Sequence, residues 1–154
     1  MIETLSTFTA PVEPVGGGDG SDLLAWVIGS EIYAMATADQ AEGFFLSVGQ
    51  RLARLVAMDE VEALAALETR ANLLWHVLGW GEVHMTREAN GVRLQHRGLP
   101  RAPEEAGADH WPVMLRTILR GAYDTWFRAL GSGETLHTRI VQASDKEVEL
   151  HHGI

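Results

Sequence analysis

Seven histidines and no cysteine set the first limits on what chemistry this chain can do. Without a thiol there is no disulfide scaffold, no thiolate zinc site and no Cys nucleophile. No two histidines form a helical His-x-x-x-His pair, and no carboxylate stands at ligand spacing from two of them on one element. His84 and His96 are expected on opposite faces of a hairpin. His137, His151 and His152 meet in the strand register derived below, but the ligand set is incomplete and reads as ordinary strand residues. Glu104 and Glu105 are a carboxylate pair, yet they are adjacent in a Pro-bounded loop, whereas glycosidase chemistry needs carboxylates held on rigid elements across a cleft. There is no Gly-x-Ser-x-Gly elbow, Walker loop or dinucleotide fingerprint. The run Gly16-Gly17-Gly18-Asp19-Gly20 follows no strand and lacks the Lys that would reach a phosphate. The expectation is a chain with no catalytic residue, no metal ligand and no cofactor.

Five tryptophans, Trp26, Trp75, Trp80, Trp111 and Trp126, raise the possibility of carbohydrate stacking. Four fall on expected helices, and Trp26, Trp75 and Trp126 lie on or beside apolar stripes where a core or subunit contact is the default. Trp80, between Gly79 and Gly81, sits at a helix-to-strand corner and is read as packing back under it. Twelve basic against twenty-one acidic residues leave a net charge of -9, so nucleic acid would meet a repelling surface and is excluded as a partner. No Lys or Arg precedes Arg51, and the apolar run Leu23 to Ile28 is far too short for a membrane span or a secretory h-region. A cytoplasmic protein is the expectation.

These residues must be positioned by a short list of elements. At 154 residues the chain is one domain, residues 21–154, preceded by an arm, residues 1–20. The arm holds Pro11, Pro14 and the glycine run together with the apolar anchors Ile2, Leu5, Phe8 and Val12; a docking arm and a plain flexible terminus are both open readings. A first helix starts near Ser21 or Asp22 and is apolar on nearly every face, with Glu31 its only charge before Asp39. A second carries Phe45, Val48, Leu52 and Leu55. A third, opened by a capping box of Asp59 and Glu62, carries Val61, Leu64, Leu67, Ala71, Leu74 and Leu78 until Gly79. Strands follow at Glu82 to Glu88 and Val92 to Gly98 around an Asn90-Gly91 turn, placing Val83, Met85, Val92 and Leu94 on one face and setting Thr86 opposite Gln95. After the loop Leu99 to Ala108, a fourth helix from about Asp109 buries Leu115, Ile118, Leu119, Ala122, Trp126 and Leu130. A last hairpin, Thr135 to Gln142 and Lys146 to His151, puts His137 opposite His151 and Arg139 opposite Glu149. The class is α+β: an antiparallel sheet of two β-hairpins separated by a helix, with helices on one face.

The segment Leu73-Leu74-Trp75-His76-Val77-Leu78-Gly79-Trp80-Gly81-Glu82-Val83, the turn His96-Arg97-Gly98-Leu99-Pro100, and the helix from Trp111 with Leu119, Gly121, Tyr123 and Trp126 resemble the D-subunit family of the bacterial cellulose synthase operon. Glu31-Ile32 and Val48-Gly49 extend the similarity, which runs from about Asp22 to Leu150. The resemblance implies an accessory, non-catalytic protein of bacterial cellulose synthesis, a homo-octameric cylinder built from dimers that works with cellulose synthase complex proteins and helps glucan chains align, leave the cell and crystallise. It also implies that the N-terminal segment lines glucan passageways. The arm here has a different composition, so its glucan-contact candidates are chosen by chemistry alone: Thr4, Ser6, Thr7 and Thr9 offer hydroxyls for a neutral polymer, with Phe8 beside them. The water-averse first helix supplies the oligomer-interface candidates Leu23, Trp26, Val27, Ile32 and Tyr33. A cytoplasmic scaffold without direct glucan binding and a small-molecule-sensing α+β domain are the alternatives.

Overall fold

In a computed structural model, residues 20–103 and 109–154 are described. They form α1 (Gly20–Met35), α2 (Ala38–Arg54), α3 (Leu64–Leu78), β1 (Glu82–Glu88), β2 (Gly91–Arg97), α4 (Trp111–Ala129), β3 (His137–Ala143) and β4 (Glu147–Gly153). The expected α+β order is the one that forms. The strands make one antiparallel sheet in the order β1-β2-β4-β3, and its core face presents Val83, Met85, Leu94, His96, Val148 and Leu150 to the helices. None of the described helices is long and apolar enough to cross a membrane.

The helices do not all lie directly on the sheet. α4 lies on β3 and β4, α3 lies along β1, and α2 packs on α4 rather than on the sheet. That second contact is a crossing of backbones. A Cβ on Gly49 would stand 2.1 Å from the Ile118 carbonyl oxygen, and one on Gly121 would stand 2.4 Å from that of Leu46. Glycine on both helices is what allows the approach, so Gly49 is a contact residue inside α2 and not a helix end. α2 itself is opened by a capping box, Thr37 with Gln40.

Both hairpins keep the expected faces but shift register. The first turns at Ala89-Asn90, so Thr86 faces Arg93 and His84 faces Gln95. Gly91 is needed elsewhere: at φ 150° it begins β2, where a Cβ would lie 2.1 Å from the His152 carbonyl oxygen. In the second hairpin Arg139 faces His151 and His137 faces Gly153, with an irregularity between Ile140 and Gln142 that leaves Val141 as an extra residue. The shift before the bulge is two residues, which preserves the faces, and Glu149 pairs with Arg93 instead of Arg139, at 2.6 Å. The predicted capping box before α3 does not form. Glu60 adopts φ 64° in a turn closed by Val61 N–H and the Met58 carbonyl, and α3 starts at Leu64 without a side-chain cap. Gly79 ends α3 as expected, at φ 69°. Leu55 and Leu130, the last members of two expected stripes, lie exposed at helix ends.

Along β1 the free edge is closed by side chains of α3. Asn72 accepts from the Val83 N–H at 2.7 Å and donates to its carbonyl at 3.0 Å, while Glu68 accepts from the Met85 N–H at 2.8 Å. Such capping keeps an edge strand from recruiting another chain.

Candidate functional site

α1 is apolar on most of its circumference, yet it is fixed to the rest of the chain along a single side. Trp26 and Tyr33 bring their rings 6.3 and 5.2 Å from His110, and Tyr33 stacks 5.4 Å from Phe45. Gly29 is buried because a side chain there would run into Met114. Ala25 and Ile32 complete the inward side. Burial, followed by the nearby Glu42 carboxylate, pushes the Tyr33 hydroxyl above its ordinary range. The opposite side of the helix has no neighbour among the described residues. Leu24 is 61% exposed, Val27 49%, Ile28 46% and Met35 78%. At positions 24, 27, 28, 31 and 35 these residues share one helical stripe, broken only by the exposed Glu31.

A second polar feature lies inside. His96 donates from Nε2 to the Trp80 carbonyl at 2.7 Å, since a carbonyl can only accept; its Nδ1 is therefore bare and accepts from the Tyr123 hydroxyl at 2.6 Å. Burial lowers the His96 pKa to about 4, against a small opposing effect of the Trp80 carbonyl. Burial also raises the Tyr123 hydroxyl well above its usual range, the Trp75 indole N–H beside it acting weakly the other way. Trp75 stacks on Trp80 at 6.1 Å and meets His96, Tyr123 and Trp126 edge-on. The Trp80 indole N–H in turn lies 3.4 Å from the Asp22 carboxylate at the start of α1. The network joins β2, α3, α4 and α1. His96 is fully buried, and its two ring hydrogen bonds fasten these elements together.

Elsewhere several titratable groups are engaged in pairs. The open face of the sheet carries Arg93–Glu149 at 2.6 Å and Arg97–Glu147 at 3.6 Å. His152 donates from Nδ1 to Thr138 at 2.7 Å, Thr138 donates to Asp124 at 3.1 Å, and Phe127 covers the ring at 4.4 Å. Burial lowers the His152 pKa, with Asp124 opposing. Among the described residues no three His, Asp or Glu side chains are grouped to hold a metal ion. The tryptophans of α3 and α4 pack on each other: Trp75 and Trp126 are buried 5.6 Å apart. A recess of about 420 Å³ lies at the α3–β1 corner beside Gly79, Gly81 and Gly98.

Of the interface candidates read from sequence, Val27 lies on the exposed stripe, Leu23 is half-buried, and Trp26, Ile32 and Tyr33 turn inward. Leu24, Ile28 and Met35 were the missing members. Gly29 was the available signal: a glycine between Trp26 and Tyr33 marks the side that approaches another helix. The arm candidates Thr4, Ser6, Thr7, Phe8 and Thr9, and the pair Glu104 and Glu105, lie outside the described residues.

A helix layer on an antiparallel sheet, a core filled by its own aromatic rings and an uncovered apolar helix define an α+β protein whose distinctive surface suits association with another macromolecule. The model of the cellulose synthase D-subunit family matches residues 26–153, and the chain belongs to that family. That membership ties it to cellulose synthesis, as an accessory subunit by name. No curated protein matches the chain.

Proposed function

We propose that this chain is a non-catalytic accessory subunit of bacterial cellulose synthesis that works as a homo-oligomeric cylinder, an octamer built from dimers. The observation that carries the reading is the exposed stripe of Leu24, Val27, Ile28 and Met35. A contiguous apolar helix face left in water after the core is complete is costly unless another surface covers it. Leu23 and Val27 belong to this assembly surface, with Trp26, Ile32 and Tyr33 holding the helix in place behind it. The cylinder assists glucan chains as they align, leave the cell and crystallise, and it stands on the cytoplasmic side near the inner membrane beside the synthase complex proteins. The arm, through Thr4, Ser6, Thr7, Phe8 and Thr9, offers weak repeated contacts to a neutral polymer, which lets the polymer slide.

Sedimentation of the full chain and of a chain lacking residues 1–20, each titrated with cello-oligosaccharide, tests this. A mass of about eight copies, with saccharide binding that disappears when the arm is removed, is the expected result. A full-length assembly that binds a synthase partner and no saccharide removes the glucan role and leaves a scaffold. A well-folded monomer at micromolar concentration overturns the assembly.

A further inference from the structure

Among the described residues two helices each present an exposed stripe, and the stripes match in spacing and oppose in charge. On α1 the stripe runs Leu24, Glu31, Met35, with Val27 and Ile28 filling the first interval. On α2 an exposed side flanking the buried Ala41, Phe45, Gly49 and Ala53 runs Phe44, Arg51 and, at the C-cap, Leu55, with Ser47 in the first interval. Phe44 and Leu55 are both exposed. In each stripe the charge stands seven residues after one apolar residue and four before the next, a length of about 16 Å on a helix.

The charges are also uncommitted. Arg93, Arg97, Arg120 and Arg128 sit in ion pairs with carboxylates, whereas Arg51 and its neighbour Arg54 form none among the described residues. Glu31 and Arg51 form no ion pair among the described residues, although acidic groups outnumber basic ones by twenty-one to twelve. Each is instead set between exposed apolar side chains, where a partner of opposite sign would be most shielded from water.

Deepening the assembly reading above, on which this rests, we propose that α1 of one copy lies parallel to α2 of the next: Leu24 against Phe44 of the partner subunit, Glu31 against Arg51 of the partner subunit, and Met35 against Leu55 of the partner subunit. An antiparallel arrangement that kept the charges together would set Met35 on Ser47 and carry Leu24 beyond the end of α2. The pairing is intermolecular by geometry. Only Ala36 and Thr37 join α1 to α2, a link of at most about 10 Å. A parallel alignment within one chain would require the link to travel back along the helix by about 25 Å. Both stripes point away from their own core, so docking needs no rearrangement of the fold.

Reversing charges tests the pairing. Glu31→Arg and Arg51→Glu are exposed substitutions, and circular dichroism should show both variants folded. Each alone should raise the dissociation constant of the assembly roughly tenfold or more, because like charges then meet inside an apolar surround. The double variant should return to within about threefold of the original chain, since it restores the pair with its members exchanged. A double variant weaker than either single one overturns the pairing, as do single variants that assemble like the original; in both cases the original chain still assembles and the assembly reading stands. An original chain that stays monomeric sinks both.

Discussion

α1 and α4 invert what their compositions suggest. α1 carries one charge after its first turn, yet only Asp22 and Gly29 are buried. α4 carries Arg116, Arg120, Asp124 and Arg128, yet it buries residues around most of its circumference, from Trp111 through Phe127. Position in the layers decides this. α4 lies between the sheet and α2, and its charges escape at the margins: Arg120 reaches Glu42 at 2.6 Å, Arg128 reaches Asp124 at 2.6 Å, and Arg116 returns to the Pro112 carbonyl at 3.0 Å. α1 lies at the margin of the stack and touches it on one side. An amphipathic helix can therefore become a core helix, while a nearly uniform apolar one keeps half its surface in water. Composition alone therefore does not tell which helix the layers will bury.

The contrast between α4 and α1 requires α4 to be the packed centre of the fold. Trp126 is buried, its indole N–H donates to the Ala53 carbonyl at 3.0 Å, and its ring meets Trp75 and Tyr123. Trp126→Ala should cost about 3–5 kcal/mol in urea unfolding, and Trp126→Phe a smaller part of that. Losses below about 1 kcal/mol for both would show that α4 is not the packed centre.

A second effect, nearly as large, belongs to the polar fastening beneath α4. The folded-state pKa of His96 is about 4 and its unfolded value is 6.5. Between those values the unfolded chain binds more protons, so the contribution of His96 is complete above pH 6.5 and lost as pH falls toward 4, about 3 kcal/mol in all. His96→Gln should be less stable than the original chain at pH 7, and the gap should narrow steadily as unfolding is repeated down to pH 4. Carboxylates shared by both chains cancel in that difference. Parallel stability curves would mean that His96 is not held neutral by its surroundings.

Legibility in the sequence followed the same division. Element order, the α3 stripe ending at Gly79 and the sheet faces were readable because 3.6- and 2-residue periods report burial directly. The registers were not. Gly91 looked like a turn residue, but its demand is a close approach to β4, a long-range fact with no local signature; the bulge at Val141 is similar. The capping box before α3 failed because Glu60 enters a left-handed turn that local spacing does not reveal. For the candidate site, apolarity flagged α1 correctly as a helix, yet which half of it faces inward depends on His110 and Met114, far along the chain. Trp26 and Tyr33 were interface candidates because the whole helix is water-averse, and their rings pack inward against His110.

The smallest expected effect on folding is the one that separates the two helices most cleanly. Leu24→Ala with Ile28→Ala removes apolar bulk from the exposed stripe and leaves Trp26, Gly29, Ile32 and Tyr33 untouched against the core. Alanine is a good helix former, so the change in the stability of a single copy should stay within about 1 kcal/mol. Assembly links stability to concentration: a partner that binds the folded chain raises its melting temperature as protein concentration rises. The original chain should show that dependence and the double variant should lose most of it, while the two melt together when dilute. A variant that instead unfolds as readily as Trp126→Ala at every concentration would show that the stripe is already part of a core, and α1 would then be a core helix as α4 is.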